Sequence, residues 1–163
     1  HTTNAAGSLP RLIDMGAEPF LISSVLNLVI AQRLVRKLCE EKERYTLSQK
    51  DVQDLAKYCD MEKLLGILRK EKILKPKETL EDLTFWKPKP SVESPDGYKG
   101  RIGIYEALPI TESIKELIVS RASSDKVQAQ AEQEGMITMV EDGLIKAAQG
   151  LTTIEEVLRV IIE

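Results

Sequence analysis

The residues best equipped for chemistry stand at the start of the chain, where His1-Thr2-Thr3-Asn4 sets the only histidine of 163 residues beside two hydroxyls and an amide, with Arg11 following. An imidazole and small polar side chains at the start of a helix present donors and partial positive charge to an anion, and a phosphate suits them. Arg11 fits either that phosphate or an acidic neighbour, because a guanidinium pairs with both. The same spacing also suits an ordinary helix cap.

Phosphoryl chemistry needs more than an anion site. It requires a Gly-rich loop ending in Lys and Ser/Thr to cradle the phosphates, and an acidic strand end to hold magnesium. Neither occurs. Gly97 and Gly100 flank Tyr98-Lys99, but no Gly-Lys-Ser/Thr follows, so this segment reads as a turn leading into a strand. One histidine and two cysteines, Cys39 and Cys59, do not assemble a four-ligand zinc site or a disulfide framework.

Composition narrows the class further. With 42% hydrophobic and 30% charged residues, the chain is the size of a single soluble domain, and two Phe and one Trp leave its core mainly aliphatic. The net charge of -3 gives no support for a nucleic-acid surface, which needs a clustered basic excess. Arg33, Arg36 and Lys37 form a local basic group that reads either as contact points or as dipole compensation after a helix. The longest apolar run, Pro19 to Ala31, contains Ser23, Ser24 and Asn27 and falls short of the ~20 residues a membrane span needs. No signal-peptide pattern is present, and a reducing cytoplasm is the expected compartment.

The elements that must position these residues follow from caps and periodicity. Pro10 near the first turn and Gly16 at the end predict a helix to about Met15, and Pro19 opens a second helix expected to run to about Arg33. That helix is apolar nearly all round and demands cover on several sides. Leu34 to Leu38 reads as a short strand. Leu47 and Ser48 announce a helix to Tyr58 or Cys59, a second runs from Met61 to Lys70, and Pro88, Pro90 and Pro95 predict an extended connector. Cys59 continues the apolar stripe of Val52, Leu55 and Ala56, so it reads as a buried small hydrophobe.

Arg101 to Ala107 reads as one hairpin or strand. After it, Ile114, Leu117 and Ile118, then Leu144, Ile145 and Ala148, then Ile154, Val157, Leu158 and Ile161 supply the faces of a small helical bundle, with Met136 and Met139 filling gaps. Thr152 and Glu155 have the spacing of a capping box at the last helix.

The stretch His1 to Gly16, continued by Glu18-Pro19-Phe20-Leu21-Ile22-Ser23-Ser24 and Ala31-Gln32-Arg33-Leu34-Val35-Arg36-Lys37-Leu38-Cys39, resembles the histidine box and following segment of secretion ATPases. These are the motors of type II secretion and type IV pilus assembly. Gly97-Tyr98-Lys99-Gly100-Arg101-Ile102-Gly103-Ile104-Tyr105-Glu106, Glu141-Asp142-Gly143-Leu144 and Gly150-Leu151-Thr152-Thr153-Ile154-Glu155-Glu156-Val157-Leu158-Arg159 are similar to that family's C-terminal landmarks, in the same order.

The resemblance implies a mainly α fold with a few short strands: the C-terminal portion of a RecA-like α/β NTPase domain followed by a small helical bundle. Residues 1–38 would close the ATPase domain, 39–96 form a helical insert, and 97–163 form the C-terminal strand and bundle. It implies that His1 senses the γ-phosphate, with Thr2, Arg11 and Arg101 as nucleotide-binding or interdomain residues. The phosphate loop of the family lies upstream of the box, so a chain beginning there without Met reads as a fragment, inactive alone. ATP and magnesium belong to the intact parent, a hexamer working with inner-membrane platform proteins on the cytoplasmic side, and no nucleic acid is involved. Many relatives hold zinc with two Cys-x-x-Cys pairs; here Cys39 is followed by Lys42, and Pro90 and Glu93 stand at the second pair, so no zinc is expected. The alternative is a non-enzymatic helical module docking a neighbouring subunit or a platform protein. Alone, the chain is expected to self-associate through the helix from Pro19 to Arg33.

Overall fold

The computed structural model describes residues 2–162. Helix α1 spans Ser8–Asp14, and Gly16 follows it at φ +94°. Helix α2 covers only Pro19–Val25, and strand β1 takes over at Leu28–Leu38. The expected helix to Arg33 and the short strand from Leu34 are therefore corrected together. A run that is apolar at nearly every position satisfies helical and strand periods alike, and here β-branched Val29, Ile30 and Val35 lie in a stretch whose exposure alternates with period two. Pairing with β4, Tyr98–Pro109, satisfies its backbone.

The middle of the chain holds two strands where the sequence predicts only connectors. Strand β2, Lys42–Tyr45, pairs antiparallel with β3, Phe85–Pro88, placing Tyr45 opposite Phe85 and Arg44 opposite Trp86. Between them run α3, Gln49–Leu55, and α4, Met61–Lys70, then a 3-10 turn at Leu80–Asp82. The Ser48 cap forms as expected: its hydroxyl accepts from the Asp51 amide, and its own N–H donates to the Asp51 carboxylate. Four further helices follow: α5 Glu112–Val119, α6 Ser124–Gln133, α7 Met139–Ala148 and α8 Ile154–Ile162. The described residues thus hold eight helices and two pairs of strands in a mixed α/β arrangement.

These elements form two compact units, each discontinuous in sequence. The first combines the residues up to Gln32 with Tyr105–Met139. Its core is Leu9, Ile22, Leu108, Ile114, Ile118, Val127 and Met136, with α2 packed on α5 and α6 against α1 and α5. The second combines Arg33–Ile104 with the residues from Val140 onward, around Leu47, Leu55, Leu64, Leu68, Phe85, Leu144 and Ile154. The last four helices, expected as one bundle, are shared out: α5 and α6 to the first unit, and all of α7 beyond Met139 with α8 to the second.

Two glycines in the second unit are fixed by contact. A Cβ on Gly143 of α7 would lie 2.5 Å from a methyl of Val157, so α7 and α8 approach too closely for any side chain there. Gly150, at φ +73°, closes against the β2–β3 pair: a Cβ there would lie 2.7 Å from the indole nitrogen of Trp86 and 2.9 Å from Lys42 Nζ. Lys42 donates to the Gly150 carbonyl at 2.6 Å while its ammonium sits 4.8 Å from the Trp86 ring centroid. Gly150→Ala is therefore expected to cost about 1–3 kcal/mol from overpacking and a strained φ. Because Trp86 is the only tryptophan, its emission should shift red as the contact opens; an unchanged spectrum and melting temperature would refute the packing account.

Candidate functional site

A concavity lined by arginines belongs to the second unit. Arg33 and Arg36 of β1, Arg101 of β4 and Arg159 of α8, with Leu34 and Val160, line a cavity of about 540 Å³. Like charges gathered this way repel unless something holds them. Glu156 does so: its side chain is 2% exposed, accepts the Arg36 guanidinium at 2.6 Å and the Arg36 amide at 3.0 Å, and receives Arg159 through two nitrogens at 3.0 and 3.1 Å. Arg33 donates to the Val160 carbonyl. Arg36 also reaches Asp96 at 3.2 Å and lies 4.2 Å from the Tyr98 ring centroid.

Burial alone would raise the Glu156 carboxyl, but the hydrogen bonds from Arg36 and Arg159 dominate and bring it from 4.5 down to about 2. The bond to Glu156 in turn holds the Arg36 guanidinium above its ordinary value, with smaller contributions from Tyr98 and Asp96. These side chains stay ionised across the physiological range.

The start of α8 corrects one sequence reading. The cap is Thr153, whose hydroxyl accepts the Glu156 amide at 3.2 Å and meets Tyr98 Oη at 3.0 Å. Thr152 instead donates to the Arg36 carbonyl at 2.8 Å. The cap lies one residue later than expected, because Thr152 and Thr153 offer the same hydroxyl and only the buried partners decide between them. No reciprocal box forms, since the Glu156 carboxylate is taken by Arg36 and Arg159.

Two more buried glutamates come from the other landmark segments. Glu106, 3% exposed in the first unit, accepts the Ala5 amide at 2.6 Å and the Met139 amide at 3.3 Å. Glu141, 1% exposed in the second, accepts Lys63 at 2.8 Å. None of the three was picked out from the sequence, because a glutamate beside charged neighbours looks like solvated surface. The signal available was its position inside an otherwise apolar stretch, as in Ile104-Tyr105-Glu106-Ala107-Leu108.

Of the site residues expected from the sequence, His1 lies outside the described residues. Thr2 and Arg11 are exposed in the first unit. Arg101 is exposed in the second unit and joins three arginines of which two, Arg33 and Arg36, were noted only as a basic group.

The residues at the expected metal positions do not fit zinc. Lys42 is committed to the Gly150 carbonyl, Pro90 offers no donor side chain, and Cys39 stands without a second thiol. Cys59 is half-buried against the Leu55 carbonyl and the Met61 sulfur, and burial pushes its thiol up to about 11. It packs as a hydrophobe. Among the described residues no group of three His, Cys, Asp or Glu is arranged to hold a metal ion.

The chain matches the family model described as Type II/IV secretion system protein over residues 1–159. It belongs to that family. It is 38% identical over 161 residues to the type II secretion system protein E of Xanthomonas campestris, covering 98% of this chain and 25% of that protein. It is 38% identical to the type II secretion system ATPase E of Vibrio cholerae, covering 98% of this chain and 28% of that protein. It is 34% identical to the type IV pilus assembly ATPase PilB of Myxococcus xanthus, covering 97% of this chain and 25% of that protein. The chain thus spans only about a quarter of these relatives. No described helix is long and apolar enough to cross a membrane.

The depressed carboxyl gives the second unit a defined acid limit. A lowered folded-state pKa stabilises the fold above the ordinary value of 4.5, and that stabilisation is lost as pH falls from 4.5 through about 2. The shift corresponds to roughly 3 kcal/mol. Glu156→Gln should lower stability at pH 7 by an amount of that order and flatten the acid limb of denaturation between pH 4.5 and 2. An acid limb unchanged in the variant would show that Glu156 is not the group responsible.

Proposed function

We propose that the chain is the C-terminal portion of a RecA-like motor ATPase that powers type II secretion or type IV pilus assembly. Its relatives carry those names, and its landmark segments provide the internal carboxylates that organise each unit. The observation that carries the reading is the 2.6 Å bond from the Ala5 amide to buried Glu106, which ties the segment directly after His1 to β4. A residue that senses a phosphate must be held in register with what moves next, and a buried, charge-assisted bond does that.

On this reading His1 senses the γ-phosphate with Thr2 beside it. Arg11 and Arg101 serve as nucleotide-side or interdomain contacts. ATP and magnesium are held by the rest of a longer protein, which works as a cytoplasmic hexamer against inner-membrane platform proteins, and residues 39–96 stand without zinc where relatives carry a metal clip. Phe20, Leu21, Val25 and Ile30, exposed at 61, 51, 72 and 60%, are the surface on which the remainder of such a protein packs. In its absence the same surface drives self-association.

Two preparations test this. The 163-residue chain alone should show no magnesium-dependent ATP turnover and should associate in sedimentation runs across a dilution series. A chimera that carries this chain in place of the matching quarter of the Xanthomonas relative should hydrolyse ATP, and lose at least about tenfold in rate on His1→Ala. Turnover by the isolated chain, or a folded hexameric chimera indifferent to His1→Ala, would contradict the proposal.

A further inference from the structure

We infer that a second cavity, bounded by β2, β3, α3 and α8, is a docking site for a partner protein that presents an arginine beside an aliphatic residue. The cavity lies wholly in the second unit, and the inference does not rest on the motor reading.

Shape and lining are the first argument. The cavity measures about 560 Å³, within the roughly 300–1,000 Å³ of sites that enclose organic groups and too large for a bare ion. Its apolar lining is Leu47, Leu55 and Ile154, all buried in the core of the unit, extended by Leu158. Tyr45 and Tyr58 add two aromatic rings that differ in availability. Lys87 stands 4.7 Å from the Tyr45 ring centroid, whereas Tyr58 is 41% exposed and its side chain makes no hydrogen bond or ring contact among the described residues. An arginine suits such walls, because its methylenes pack on leucines while its planar head stacks on an open ring.

Charge complementarity is the second. Asp51, Asp54 and Glu155 line the cavity against two ammonium groups, and both of these are committed: Lys57 pairs with Asp54 at 2.5 Å, and Lys87 lies over Tyr45. Asp51 accepts the Ser48 hydroxyl at 2.7 Å and the Ser48 amide at 2.9 Å. These neutral donors hold its carboxyl below the ordinary value, with Lys50 and Lys87 adding to the effect, so it stays charged. Glu155 is exposed in the first turn of α8, and its carboxylate has no hydrogen bond or ion pair among the described residues. Burial raises the Tyr45 phenol above its ordinary value and Glu155 and Asp51 raise it further, so both carboxylates act on the same wall. The C-terminal end of α3 lines the cavity too and contributes the partial negative charge of a helix end. The lining thus carries one more negative than positive side chain, and one guanidinium answers it. An acidic segment would be repelled, and a purely aliphatic one would gain nothing from Glu155.

The test titrates the 163-residue chain calorimetrically with acetylated, amidated peptides Gly-Leu-X-Leu-Gly, where X is arginine, lysine, norleucine or glutamate. The arginine peptide should bind saturably and about fivefold tighter than the norleucine peptide, with the glutamate peptide weakest. Glu155→Gln should weaken the arginine peptide by about threefold and leave the norleucine peptide unchanged, and Glu155→Asp should recover part of that loss. Tyr58→Leu should narrow the preference for arginine over lysine. Glu81→Gln removes the same charge at an exposed position outside the cavity and should alter nothing. Absence of saturable binding by the arginine peptide would overturn the inference, as would a norleucine peptide that binds equally well. Equal losses in Glu155→Gln and Glu81→Gln would reduce the effect to general screening and overturn it too. Arginine amide binding as tightly as the peptide would assign the cavity to a small cation instead of a docked protein. No readout involves nucleotide, so a failure here is distinct from a failure of the motor reading.

Discussion

A carboxylate removed from water must be paid for by partners, and Glu156 is surrounded by them. Burying it unpaired would cost several kcal/mol. Arg36 and Arg159 supply the compensation, and in doing so they lock α8 to β1 and hold the guanidinium groups that line the cavity. Tyr98, stacked under Arg36 and bonded to the cap of α8, ties β4 into the same network. Elements distant in sequence are thus held by one charge that none of them can release.

The same device recurs at Glu106 and Glu141, and it gives the family landmarks a physical meaning. Each landmark carries a glutamate that is almost fully buried and that accepts from a group far away in the chain: Ala5 for Glu106, Lys63 for Glu141 and Arg36 for Glu156. Gly143 and Gly150, in the same landmarks, are sites of close approach rather than flexible joints. Where relatives are expected to use metal, Lys42 instead bonds the Gly150 carbonyl and covers Trp86, an arrangement that requires neither a thiol nor a metal.

Local signals were legible in the sequence wherever a single physical choice dominated. Leu47 with Ser48 named the start of α3, and Met61 to Lys70 was read with its observed bounds, because caps and a clean stripe leave little competition. The residues after Val25 were misread because a uniformly apolar run carries no period, and the decision fell to a pairing partner some seventy residues away. Strands β2 and β3 were hidden for a related reason: Lys42-Glu43-Arg44-Tyr45 looks polar and coiled until Trp86 and Tyr45 are seen to carry the lysine and arginine side chains. Arg101 was found through resemblance, but the cavity it completes was not, since its four arginines come from three separate elements.

A double-mutant cycle on Arg36→Gln and Glu156→Gln, read as unfolding free energy at pH 7, measures the central interaction directly. If one buried charge fixes the second unit, the two substitutions must be strongly non-additive, with a coupling of about 1.5–3 kcal/mol. Losses that add to within about 0.5 kcal/mol would mean that the pair is incidental to the fold, and the account built on it would fail.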